Sequence, residues 1–214
     1  MITRQARHNE PTKVTSSPQR ICLFGGTFDP IHLGHIHIAH AAIESQIAEQ
    51  IVFLPCRQSP HKQGQQHVSE YHRLKMCELA TEDYHWAVTD DFDLTAQEPC
   101  YSWRTAEAMQ NKYPNSKLYW LMGTDQWDTL PQWNRSDYLA QLVDFIVFER
   151  GGPVQQRHGM NMQSIHGNHP ASATAIRDGL SGAKHLNWLH PKVLHYISQN
   201  SLYGYKTELP KADD

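Results

Sequence analysis

One segment restricts the fold of this chain more than any other. Ile21-Cys22-Leu23-Phe24 is an unbroken apolar run, Gly25-Gly26-Thr27-Phe28-Asp29-Pro30 follows as a turn, and Ile31-His32-Leu33-Gly34-His35 opens an apolar-periodic stretch. A short continuous apolar run suits a strand buried on both faces. Strand, glycine turn and helix start together make an anion site, because the first N–H groups of a helix lack partners and its dipole favours negative charge. The glycines allow close approach of a bulky anion. His32 and His35 lie three apart and share a helix face, where each can donate to phosphate oxygens. Asp29, beside Pro30, is expected to bind turn amides and fix the loop.

The rest of the chain repeats the strand–helix alternation. Residues 1–19 are polar and aperiodic and read as a disordered leader. A first strand is expected over Arg20–Phe24. A helix from Leu33 to Ala48 carries Ile36, Ala39, Ile43 and Ile47 at three- and four-residue spacing. Ile51-Val52-Phe53-Leu54 is a second strand, followed by a polar loop from Arg57 to His67. Ser69 is placed to cap a helix carrying Leu74, Met76, Cys77, Leu79 and Ala80. Trp86-Ala87-Val88 reads as a third strand. A helix follows Tyr101 and stops near Tyr113-Pro114; Leu118–Met122 and Asp144–Phe148 are further strands, with a short helix leading through Leu130-Pro131-Gln132-Trp133 between them. Residues 153–170 read mostly as loop, with a short strand near Ser164–Ile165. Two helices, near Ala173–Leu180 and Pro191–Gln199, close a single domain over 20–204, and 205–214 form a polar tail. Such alternation indicates a parallel sheet covered on both faces, with ligands beyond the carboxyl ends of its strands.

Composition removes several classes of function. Nineteen Lys and Arg against 22 Asp and Glu leave a net charge of -3, so no cation excess drives general binding to nucleic acid or a membrane surface. No apolar run approaches the roughly 20 residues of a bilayer span, and Met1–Arg20 has no apolar core of a secretory signal. The four cysteines, Cys22, Cys56, Cys77 and Cys100, are far apart. They read as reduced thiols of a cytoplasmic protein and not as a disulfide frame or zinc site. The 15 histidines are read mostly as solvated residues, and no pair of motifs requires a protein-held metal.

A second motif, Ser172-Ala173-Thr174-Ala175-Ile176-Arg177, has its own chemistry. Two hydroxyls at a helix start make another anion nest, and an arginine one turn in adds a forked cation suited to phosphate oxygens. Taken with the first motif, it resembles the paired signature of the HIGH-motif nucleotidyltransferases, which transfer a nucleoside monophosphate from a triphosphate to an acceptor phosphate. From about residue 20 to 204 the chain is similar to one family among them, the bacterial nicotinate-mononucleotide adenylyltransferases. Gly25–Pro30, Pro60-His61-Lys62, Pro99-Cys100-Tyr101-Ser102, Gly123-Thr124-Asp125, Leu130-Pro131-Gln132-Trp133 and the ending Tyr196–Tyr203 all resemble that family's elements.

The resemblance implies a Rossmann-like doubly wound parallel sheet with helices on both faces. It implies AMP transfer from ATP to nicotinate mononucleotide, with Mg2+ bound through the ATP phosphates. His32, His35 and Arg177 would be the catalytic residues. Gly25, Gly26, Thr27, Phe28, Gly34, Asp125, Ser172 and Thr174 would hold ATP. Lys62, Tyr101, Ser102, Trp133 and Arg150 would hold the acceptor, with Trp133 stacked on the pyridine ring. Ser102 stands where Thr is usual, Cys100 where Ser is usual, and Arg150-Gly151-Gly152 where Arg-Pro-Gly is usual. These departures, and a loop over 153–170 that looks shortened, bear on the acceptor and leave the adenylyl-transfer parts intact. A sister transferase acting on nicotinamide mononucleotide or phosphopantetheine and a non-catalytic nucleotide-binding module are the alternatives. A fragment of a class I aminoacyl-tRNA synthetase is discounted, because no Lys-Met-Ser-Lys-Ser segment is present. The sequence leaves a homo-oligomer open.

Overall fold

A computed structural model describes residues 18–57, 67–149 and 152–206. Residues 1–17 of the expected leader, the Pro60-His61-Lys62 loop, Arg150 and tail residues 207–214 lie outside the described residues. Six strands, β1 (Gln19–Gly26), β2 (Gln50–Pro55), β3 (Ala87–Thr89), β4 (Ser116–Gly123), β5 (Asp144–Glu149) and β6 (Met162–His166), form one sheet in the order 3-2-1-4-5-6. Every pairing is parallel. This is the Rossmann-like, doubly wound arrangement expected from the alternation. Strand order reverses between β1 and β4, and that switch point opens a crevice at the strand ends.

Side-chain alternation along the strands decides which helices cover which face. Cys22, Phe24, Ile51, Phe53, Leu121, Ile146 and Phe148 pack with α1 (Leu33–Glu44), α2 (Glu70–Thr81), α7 (Ala173–Leu180) and α8 (Pro191–Gln199). Their neighbours Leu23, Val52, Leu54, Trp120, Met122, Phe145 and Val147 pack with α4 (Ser102–Lys112), α5 (Thr124–Thr129) and α6 (Ser136–Leu142). A single turn, α3 (Phe92–Thr95), follows β3. With both faces covered, the central strands read as continuous apolar runs. Among the described residues no helix is long and apolar enough to cross a membrane.

Three local expectations change. The first helix stops at Glu44 and not at Ala48, since Gln46 takes a left-handed φ of 58°. Ile47 and Ala48 still pack on the core, so their apolar spacing continues after the helical hydrogen bonds end. The suggested two-residue strand near Ser164 is a five-residue edge strand with only Ile165 buried, which leaves little hydrophobic pattern to read. α6 begins at a left-handed Arg135 without a side-chain cap, so it carries no sequence start signal.

Leu121 is fully buried at the centre of β4. Leu121→Ala is expected to cost roughly 2–5 kcal/mol, read as a lower urea midpoint with an unchanged denaturant slope.

Candidate active site

The turn after β1 is held from three directions. Phe28 has a φ of 48° and is buried, with its ring edge-on to Phe24 and His35. A Cβ on Gly26 would lie 2.9 Å from that ring, so glycine is required there. Asp29, joined to Pro30 by a cis peptide, is 3 % exposed. One carboxylate oxygen accepts from Nδ1 of His67 at 2.8 Å, and the other accepts from the Tyr203 hydroxyl at 2.6 Å. Its carbonyl accepts from Arg177 Nη1 at 2.6 Å. Asp29 therefore fixes the loop as expected, but through side chains from distant segments in place of turn amides.

His32 and His35 stack at the start of α1 with ring centroids 3.7 Å apart. The His32 backbone N–H donates to His35 Nδ1 at 3.2 Å. A nitrogen that accepts carries no proton, so His35 holds its ring proton on Nε2 as a donor. Stacking at this distance disfavours charging both rings, as like charges would then be in contact.

The second motif lies across the same crevice. Ser172 caps α7 by accepting from the Ala175 N–H at 3.5 Å. Arg177 donates to Thr174 Oγ1 at 3.2 Å with Nη2 while Nη1 binds Asp29. His169, accepting from the Ala171 N–H at 3.1 Å, shapes the chain just before the nest. Burial, aided by nearby His37, moves its imidazole below the ordinary histidine range, favouring the neutral ring that such an acceptor requires.

Both motifs line one cleft of about 620 Å³ above the switch point. The starts of α1, α4 and α7 border it, and none has an acidic residue in its first turn, so their positive dipole ends keep their effect. The cleft wall includes Gly25, Gly26, Thr27, Phe28, His32, His35, Asp125, Ser172, Thr174 and Arg177. Tyr101, Ser102 and Trp133 line its other half. Gly34 is buried in α1, where a Cβ would lie 3.0 Å from the His32 ring. It makes room for the His32 ring.

Several residues here escape sequence reasoning. Asp93 lines the cleft beside Tyr101 and accepts from Thr105 Oγ1 at 2.6 Å and Cys100 Sγ at 3.2 Å. Burial raises its carboxyl above the usual range, and burial with the Asp93 charge pushes the Cys100 thiol up to about 12. Arg73 is 1 % exposed and donates to the carbonyls of Val68, Thr27, Cys56 and Arg57 at 2.6–3.1 Å. It binds the glycine turn to the loop after β2 and to the start of α2. The signal for it was present: Arg73 falls in phase with Met76, Cys77 and Ala80 on the apolar face of α2. His67 and Tyr203 had no such signal.

The cytidylyltransferase-like family matches residues 23–179. A probable nicotinate-nucleotide adenylyltransferase of Methylacidiphilum infernorum is 34 % identical over 187 residues, covering 86 % of this chain and 92 % of the relative. The nicotinate-nucleotide adenylyltransferase of Bacillus subtilis is 30 % identical over 187 residues, covering 86 % and 98 %. The solved Plasmodium falciparum nicotinic acid mononucleotide adenylyltransferase, complexed with APC, superposes with a TM-score of 0.71 at 20 % identity over 89 % of this chain and all of that one. The same protein complexed with NaAD gives 0.70.

Removing Arg73 strands four partly buried carbonyls. Arg73→Met is expected to cost about 3 kcal/mol in a urea melt, with Arg73→Lys recovering only part. Asp93 titrates with the opposite sign to a salt-bridged carboxylate. Its raised native value means that its stabilisation is fully present below the ordinary unfolded value and is lost as pH rises through the native one. Asp93→Asn should therefore gain stability relative to wild type between pH 4 and 7, read by parallel melts across that range.

Proposed function

We infer the reaction from one premise: the chain belongs to the cytidylyltransferase-like family, together with the nicotinate-nucleotide adenylyltransferases that it matches over most of its length. It is an adenylyltransferase of NAD biosynthesis that transfers AMP from ATP to nicotinate mononucleotide, releasing deamido-NAD and pyrophosphate. The observation that carries this reading is the convergence of two anion cradles on one cleft, joined by the Arg177–Asp29 hydrogen bond of 2.6 Å.

In the proposed reaction the acceptor phosphate attacks the α-phosphorus in line, and pyrophosphate departs. The nucleophile is already an anion at neutral pH, so no strong general base is needed. The barrier is repulsion between two polyanions and charge on the leaving group, which positioning and fixed donors reduce. His35 donates from Nε2 to the reacting phosphates, with His32 beside it. Turn amides near Gly26 and Thr27 complete this cradle. Ser172, Thr174 and Arg177 hold the β and γ groups, and Asp125 sits at the strand end where a ribose would lie. In the acceptor half, Tyr101 and Ser102 present the start of α4 to a carboxylate, and the Trp133 indole covers the pyridine. Lys62 and Arg150 add cations for the acceptor in this reading.

The divalent cation, magnesium here, arrives with ATP as part of the substrate, neutralising phosphate charge and held by phosphate and water. We assign residues 20–204 to one nucleotidyltransferase domain. We place it in the cytoplasm, in keeping with four unpaired thiols.

Pyrophosphate release from ATP, measured with nicotinate mononucleotide and with nicotinamide mononucleotide side by side, tests the assignment. Turnover with the first well above the second is expected, and the reverse order would reject the acceptor. His35→Ala is expected to lower kcat by about two orders of magnitude with an unchanged circular dichroism spectrum. Near-normal turnover in that folded variant would remove His35 from the chemistry.

A further inference from the structure

A cluster of rings and guanidinium groups flanks the acceptor half of the cleft. It begins at Tyr101, the residue before α4, which lines the cleft. The Arg104 guanidinium lies 5.7 Å from the Tyr101 ring and 5.2 Å from the Trp103 ring. On Trp103 the next guanidinium, that of Arg135, sits 4.4 Å from the centroid, and it is 4.2 Å from the Tyr138 ring of α6. The Tyr138 hydroxyl donates back to Glu107 of α4. Trp103 Nε1 donates to Asn134 Oδ1 at 3.0 Å. The two residues thus captured, Asn134 and Arg135, immediately follow Trp133 in the chain.

This geometry has a directional consequence. Trp133 emerges from a short 3-10 turn, Leu130–Gln132, and the chain then passes through a left-handed Arg135 (φ 53°) into α6. A non-glycine residue in that conformation costs on the order of 1 kcal/mol. Its guanidinium lies against both the Trp103 and Tyr138 rings, which themselves meet edge-to-face with centroids 6.0 Å apart, a contact that is attractive for a delocalised cation. Arg135 is exposed, so it contributes little to the apolar core. We propose that Trp103 and Arg135 are positioning residues for the acceptor: they latch the segment carrying Trp133 to α4, holding its indole opposite the Tyr101–Ser102 end of the same helix. The two walls of the acceptor pocket, one from α4 and one from the Trp133 segment, are thereby kept at a fixed separation. This rests on the proposed acceptor half of the site and adds the device that spaces it.

Steady-state kinetics of Arg135→Gln, Trp103→Ala and Trp103→Phe, each with a thermal melt, test the latch. Arg135→Gln and Trp103→Ala should raise KM for the acceptor mononucleotide roughly 3- to 30-fold, as expected for losing one or two such contacts. KM for ATP should stay at the wild-type value, and Trp103→Phe, which keeps the aromatic face, should recover most of the loss. An acceptor KM unchanged in Arg135→Gln would overturn the proposal. So would a rise in both KM values that tracks a falling melting temperature, because that is the signature of general loosening. Each variant is compared with wild type on whichever mononucleotide wild type turns over. Failure of nicotinate as the acceptor is therefore read from wild type alone, and failure of the latch from the ratio.

Discussion

A buried carboxylate with three distant clients organises this molecule. Asp29 receives hydrogen bonds from His67 and Tyr203 on its side chain and from Arg177 on its carbonyl. The loop ahead of α2, the segment after α8 and the first turns of α7 all meet at one residue of the turn after β1. Leaving such a group unpaired in the interior would be costly, so the network forms as a unit or not at all. Burial, with the adjacent Asp29 charge, keeps the Tyr203 phenol proton in place well beyond the ordinary tyrosine range.

Arg73 complements this from the other side of the turn. It takes the Thr27 carbonyl while Arg177 takes that of Asp29. In a trans peptide the N–H points opposite to the C=O, so engaging the Thr27 carbonyl turns the Phe28 N–H away from Arg73. Two guanidinium groups thus fix the backbone of the turn after β1. Donors that are already oriented need no reorganisation when charge develops, which is the advantage of preorganised sites. The glycines act in the same direction: Gly26 admits the Phe28 ring and Gly34 admits the His32 ring.

Legibility in the sequence followed the range of the interaction. The strand runs, the Ser69 cap, and both anion motifs depend on residues a few positions apart, and they stand in the structure where local spacing placed them. The partners of Asp29 lie 38, 148 and 174 positions away. No local period encodes such contacts, and so Asp29 was assigned to turn amides. β6 was shortened since an edge strand with one buried side chain has almost no alternation. The Trp103–Arg135 contact joins α4 to the segment ahead of α6, a separation that no local period encodes.

Tyr203 lies beyond α8, yet its hydroxyl secures the turn that follows β1. Synthesis on the ribosome proceeds in the other direction. A nascent chain that has emerged only through α7 carries both motifs but lacks the phenol that holds Asp29. The turn after β1 is accordingly translated early and secured late, once Tyr203 can reach Asp29.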